Sequence, residues 1–256
     1  MRTFIAFFKK ELLEGVRSSK LLTLAILFCA FGIMNPAVAK LTPLLLEVMG
    51  EELAESGMTI TAVTVDALTS WTQFYKNIPM ALIAFILIYG GIFTKEYDSG
   101  TLILMLTKGV SRYKVVLAKT AIMTIVWSVG YWLCFGITYG YNAYYWDNGI
   151  AQGILPAALY WWLFGVFAVA LTVFFSVLGR NYGIVLLGTG GCVFAIYLLS
   201  ILPKVAKYMP TSLMNGMNLL MGVGKMEDYI PAAIITAVLS VALVAFSIPI
   251  FNKKQL

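Results

Sequence analysis

PAALYWWLFGVFAVALTVFFSVL, residues 156–178, holds no charged side chain in 23 positions. Wound as an α-helix at ~1.5 Å per residue it is ~35 Å long, enough to cross the ~30 Å hydrocarbon core of a bilayer. Its apolar residues are consecutive, whereas strands of a membrane barrel alternate apolar and polar positions. The stretch therefore reads as a transmembrane helix. Working outward, five further runs of the same character lie at about 21–39, 78–93, 115–138, 183–202 and 230–251. The run at 115–138 carries one charge, Lys119, near its start. The predicted fold is an all-α integral membrane protein of six transmembrane helices, a single domain over residues 1–256. To the six spans are added an N-terminal amphipathic interfacial helix over 1–20, a short helix in the 94–114 loop, and a short re-entrant external segment before the last span.

Composition agrees. Of the 256 residues, 61% are hydrophobic and 12% charged, against about 45–50% and about 25% in a soluble domain. A soluble enzyme needs a more charged surface than this. The net charge of +6 would suit nucleic acid, but the cations flank the apolar runs, so no nucleic-acid partner is predicted. The absence of histidine excludes His-based acid–base chemistry and His-ligated zinc. Cys29, Cys134 and Cys192 sit singly inside apolar runs and read as small hydrophobes, without C-x-x-C spacing. No metal site is predicted.

Lys and Arg set the orientation, because cytoplasmic loops of membrane proteins carry their excess. With the N-terminus cytoplasmic, 13 of the 18 basic residues fall inside, among them Arg2, Lys9, Lys10, Arg17, Lys20, Lys95, Lys108, Arg112, Lys114 and Arg180. Eight of the 12 acids fall outside, including Glu47, Glu51, Glu52, Glu55, Asp147, Glu227 and Asp228. Both termini are thus predicted to be cytoplasmic. Ala37-Val38-Ala39 resembles a signal-peptide cleavage site, but the apolar run is long for a signal, and we read an uncleaved first span.

Several connections are more than loops. Met1, Phe4, Ile5, Phe8, Leu12 and Val16 share an arc of about 120° on a helical wheel, with Lys10, Glu11, Glu14 and Arg17 opposite. Such a helix lies in the inner interface, its apolar face on lipid. It is either a plain anchor or a helix whose polar face docks a partner. In 94–114, TKEYDSGTLILMLTKGVSRYK, Asp98 or Ser99 can cap a short helix over 100–106, apolar nearly all round. One face can meet the protein's own spans and the other needs a partner. Gly109 is placed to end it, and Ser111 to cap the next span. Outside, 43–55 reads as a short acidic amphipathic helix and 139–146 as an aromatic belt. Residues 213–221 are too short to span and too apolar for a solvated loop. Met209, Met214, Met217, Met221 and Met226 read as adaptable packing rather than a copper site. The glycines of the fifth span and the Gly136/Gly140 pair permit close helix approach.

Apart from Lys119, no ionisable Lys, Arg, Asp or Glu lies within the six runs, so no ion-coupling group is visible. The chain carries no G-x-x-x-x-G-K-[ST] motif and is predicted not to be an enzyme itself. Any energy for transport must come from another subunit.

These residues resemble a family. An N-terminal amphipathic helix, six spans, and a second loop reading Lys95-Glu96-Tyr97-Asp98-Ser99-Gly100-Thr101, then Leu-rich sequence, then Val110-Ser111-Arg112, look like the permease subunit of a type-2 ATP-binding-cassette (ABC) exporter. Glu96, Gly100, Thr101, Ser111 and Arg112 match the family's loop pattern, and Lys119 a basic residue early in the third span. The resemblance implies that Glu96, Asp98, Ser99, Gly100, Thr101, Leu102, Leu104, Met105 and Arg112 couple the chain to an ATPase, with the Glu11, Glu14 and Arg17 face completing the docking surface. It implies two cytoplasmic ABC ATPase subunits holding ATP and Mg, a second permease chain, identical or homologous, and a bacterial inner membrane. The chain itself is expected to hold no cofactor. The apolar path suits a hydrophobic or amphipathic substrate such as a peptide, lipid or drug. A stand-alone channel or scramblase-like pore, or a non-transporting anchor of a sensor or immunity complex, remains open on residues alone.

Overall fold

The computed structural model describes residues 2–55, 65–107 and 109–254, with side chains from residue 4 and excluding those of 45–55. Met1 and Lys108, used above for the apolar arc and the charge bias, lie outside the described residues, as does the segment 56–64. Among the described residues the regular structure is helical and no strand occurs. In chain order the helices are α1 (Arg2–Arg17), α2 (Lys20–Glu55), α3 (Ala67–Tyr89), α4 (Thr94–Asp98), α5 (Thr101–Thr107), α6 (Arg112–Tyr145), α7 (Ile154–Leu178), α8 (Tyr182–Ser200), α9 (Pro203–Ala206), α10 (Gly216–Leu220) and α11 (Ile230–Lys253). Six of them, α2, α3, α6, α7, α8 and α11, are long and apolar enough to cross a membrane.

Most of the expected spans are longer as helices than their apolar runs. α3 begins eleven positions before the run at 78–93, because Trp71 and Phe74 are fully buried and Tyr75 nearly so. Thr, Gln, Lys and Asn on its other face dilute the apolar signal there. α6 continues through Tyr145, so the tract expected as an aromatic belt is the last two turns of a spanning helix. α2 runs unbroken to Glu55, so the expected acidic helix at 43–55 continues the first span rather than standing apart. Pro36 and Pro43 lie inside it, as membrane helices tolerate.

Helices α2, α3 and α6 form one packed group, and α7, α11, α6 and α8 a second, with α6 shared. Without water to compete, polar side chains pin the first group. Asn77 donates to Asn35 Oδ1 at 2.8 Å, Asn35 donates to Thr138 Oγ1 at 3.0 Å, and Thr138 donates to Gly32 O at 3.1 Å. Between α6 and α7, Tyr131 donates to Ala158 O at 2.8 Å and Trp162 to Ser128 Oγ at 2.9 Å. Gly165 lets the two helices meet, since a Cβ there would lie 2.1 Å from Trp127.

α7 is the central span, with 67% of its most apolar window buried; α8, equally apolar, has 11%. The connection from α8 to α11 folds against the bundle at the end away from α1. There Pro210, Thr211, Leu213, Leu219 and Leu220 are buried, and Gln152 donates its backbone N–H to Leu220 O at 3.1 Å. These residues are covered by protein, as irregular backbone beside a membrane requires, while Met221, Val223 and Met226 of the same connection stay exposed.

Candidate functional site

The one charge inside the expected spans organises the opposite end of the bundle. Lys119, on α6, is 1% exposed. Its ammonium donates to both carboxylate oxygens of Glu11 on α1, at 3.1 Å each, and to Ile92 O at 3.0 Å. It also pairs with Glu96 Oε2 of α4 at 2.9 Å. Lys10 closes the cluster from the rim: it lies 2.7 Å from Glu96 Oε1, 3.1 Å from Glu11 Oε1 and 2.9 Å from Glu14 Oε2. Phe7 and Phe93 present ring faces to Lys119 at 5.7 and 5.4 Å. Three acids and two lysines thus tie α1, α4 and α6 together.

An unpaired buried charge is costly, so each member needs the others. Partial burial acts against the charged form of Glu14, but the hydrogen bond and charge of Lys10 outweigh it and hold the carboxyl below its usual range. Burial likewise opposes the Lys10 charge, and its hydrogen bonds to Glu96 and Glu14 with the charges of Glu11 and Glu96 carry its pKa above the ordinary value. Carboxylate oxygens of Glu11, Glu14 and Glu96 lie within 4.8 Å of one another, a spacing that could hold a cation. The two ammonium groups already serve as that cation, and the arrangement does not fit a metal.

The arc expected to meet lipid on α1 divides. Ile5, Leu12 and Val16 are exposed, while Phe4 and Phe8 pack on the core, joined there by Phe7 and Glu11 from outside the arc. Glu11 was placed on the outer polar face by the wheel; it turns inward because Lys119 awaits it. Lys10, expected on the polar face of this helix but not among the docking residues, is the second cation of the cluster. Arg17 is exposed at the end of α1.

The 94–107 segment has two sides. Glu96 of α4 and Leu102 of α5 face inward, at 5% and 0% exposure, and Met105 packs against the core. Asp98, Ser99, Thr101, Ile103, Leu104 and Thr107 face outward. The turn between α4 and α5 is made by Gly100 at φ +66°, and Ser99 Oγ lies 2.8 Å from Thr101 Oγ1. Neither Asp98 nor Ser99 therefore supplies the expected side-chain cap to α5. Gly109, at φ +86°, does end it: its N–H reaches Leu106 O at 3.0 Å and that of Val110 reaches Met105 O at 3.3 Å, the paired bonds of a Schellman cap. Ser111 precedes α6 in extended backbone, but its hydroxyl makes no capping bond.

Arg112 lies apart from the outer face. It donates to Phe251 O at 2.7 Å and Lys254 O at 2.6 Å, tying off the C-terminal carbonyls of α11. Lys254 in turn donates to Val177 O and Gly179 O at 2.6 Å each, at the end of α7. Burial and the neighbouring charge of Arg180 push the Lys254 amine down to about 8. Of the predicted coupling residues, then, Asp98, Ser99, Gly100, Thr101 and Leu104 share one surface. Glu96, Glu11 and Glu14 share the charged cluster, Leu102 and Met105 seat α5, and Arg112 ties α6 to α11.

Comparison with known proteins fits this arrangement. Residues 5–247 match the family described as "ABC-2 family transporter protein". The chain is also 21% identical over 260 residues to the "Uncharacterized transmembrane protein YxlG" of Bacillus subtilis (strain 168), covering 100% of this chain and 99% of that one. No solved structure matches it. The chain belongs to the ABC-2 family of transporter proteins, as a multi-pass membrane component of the kind that works with an ABC ATPase.

Proposed function

We propose that the chain is the permease of an ABC exporter in a bacterial inner membrane, with both termini cytoplasmic. The observation that carries this reading is the two-sidedness of α5. Leu102 is sealed against the bundle, while Leu104 and Ile103 are 61% and 46% exposed at the charged end. An apolar face beside charged side chains, outside the spans, is suited to a protein partner rather than to water. In this reading two ATPase subunits, holding ATP and Mg, meet α5 and the exposed turn Asp98–Thr101, with the exposed Arg17 of α1 completing the surface. Two permease chains pair, identical or homologous.

Closure of the ATPases on ATP pushes α5. The push reaches the spans because Glu96 joins α4 to Lys119 on α6, and Glu11 joins α1 to the same ammonium. The segment then moves as one body, and the two orientations of the bundle form the two-state element that ATP biases. The apolar spans favour a hydrophobic or amphipathic substrate.

The test is affinity purification of the chain from its native membrane, with identification of companions by mass spectrometry. We expect a stoichiometric P-loop protein with the wild type and its loss with Leu104→Glu. Unchanged recovery with Leu104→Glu would remove the docking assignment. Recovery of the chain alone, with ion or lipid flux in liposomes without ATP, would replace the exporter by a pore.

A further inference from the structure

A second feature lies away from the charged end. Between α3, α7, α8 and the turn Pro210–Met214 is a groove of about 460 Å³, open along Ile83, Leu87, Phe194 and Tyr197 and within the ~300–1,000 Å³ range of small-molecule sites. Its floor is Leu82, Trp161, Phe164 and Ala168, all buried. On α8 its lining runs from Leu186 to Tyr197. Among the described residues no Asp, Glu, Lys or Arg lines it.

Two hydroxyls break this apolar lining. Thr189 is 1% exposed and Thr211 5%, and the Oγ1 of each is buried without a hydrogen-bond partner among the described residues. Ser70, Tyr75 and Tyr97 also bury a hydroxyl without a partner among the described residues, but only Thr189 and Thr211 do so on the wall of this groove. Thr120, Thr172 and Thr236 each return their hydroxyl to the carbonyl four residues earlier, at 2.8, 2.8 and 2.6 Å. Thr189 has the same option on α8 and does not take it. A buried hydroxyl left without a partner is unfavourable unless something supplies one. Gly190, beside Thr189, keeps the wall open, since a Cβ there would meet nothing within 4 Å.

We infer that this groove binds a neutral amphiphile, a single aliphatic chain bearing a hydroxyl or carbonyl group, with Thr189 and Thr211 as its hydrogen-bond partners. The lining offers no counter-charge, so an anionic or cationic headgroup would be desolvated without compensation. The uncharged chain has apolar wall along its length. The same chemistry fits a resident membrane lipid or the transported molecule. Only the second identity rests on the exporter reading.

The full chain in phosphatidylcholine nanodiscs is exposed to a monoacylglycerol with a photoreactive diazirine in its chain, and adducts are mapped by peptide mass spectrometry. We expect adducts concentrated on the 186–197 and 210–214 peptides. Labelling should fall at least fivefold with Gly190→Phe, which fills open space without a backbone clash, and about threefold with Thr189→Val/Thr211→Val. The corresponding free fatty acid at neutral pH should label these peptides far less. Equal labelling of wild type and Gly190→Phe, indifference to the threonine pair, or adducts spread evenly over the spans would overturn the site. So would its coverage by a second copy, seen as a chain-to-chain disulfide from Phe194→Cys with no probe adduct on the wild type. With the partner ATPase present, adducts that vanish on ATP trapping identify cargo and adducts that persist identify a resident lipid; both support the site. Since binding is read on this chain alone, its failure leaves the exporter proposal standing, and failure of ATPase recovery leaves the groove standing.

Discussion

Leu102 and Leu104 are two residues apart on one short helix and face opposite fates. The first is sealed inside with Glu96 and Lys119; the second stands open. The inner side of the 94–107 segment is a seat, held by burial and by a charge cluster. The outer side has no partner among the described residues. A segment that is only a connecting loop has no need of both. One that passes force from a partner into the spans needs a rigid inner attachment and a separate outer contact.

The comparison is broken most severely at its inner side. Lys119→Met leaves Glu11 and Glu96 buried with only the rim ammonium of Lys10, and removing one partner of a buried pair costs about 3–5 kcal/mol. We expect a strongly lowered melting temperature in detergent, partly restored by Lys119→Arg. Next, Leu102→Ala should destabilise by about 2–5 kcal/mol through the cavity it leaves, while Leu104→Ala should stay within about 0.5 kcal/mol. Matched thermal denaturation of the two variants sharpens the contrast directly. If they lose equal stability, α5 is not two-sided.

Gly109→Ala forces a Cβ into the left-handed region at φ +86° and should cost about 1–2 kcal/mol. That change should fray the end of α5, which hydrogen exchange of the 101–110 peptide would register. The smallest effect concerns Glu14. Its carboxyl titrates lower in the folded chain than when unfolded, so its contribution is present above the usual carboxylate pKa and is lost as pH falls through the folded value. Since Glu14 is half exposed, Glu14→Gln should change stability by less than about 1 kcal/mol, and only above about pH 4.

Six spans were legible in the sequence because bilayer crossing imposes a length and a composition. Their burial was not. Residues 156–178 and 183–202 are both continuously apolar, yet α7 lies inside the bundle and α8 on its surface. A lipid-facing side chain and a core side chain obey the same hydropathy. Helix extensions such as the start of α3 escaped for the converse reason: Trp71, Phe74 and Tyr75 are buried among Thr, Gln and Lys. At the site, the helix in the 94–114 loop and its Gly109 stop were readable from local rules. The inward turn of Glu11 was not, because its partner lies 108 positions away on another helix. Nor could the loop reveal that Arg112 holds α11, a contact made only by tertiary packing.

The most direct measurement is cysteine crosslinking in native membranes, comparing Leu104→Cys with Leu102→Cys by a short bifunctional reagent. The account predicts one dominant crosslink from position 104, to a P-loop ATPase, and none from position 102. Equal crosslinking from both positions, or none from 104 while the chain remains folded and active in transport, would contradict it.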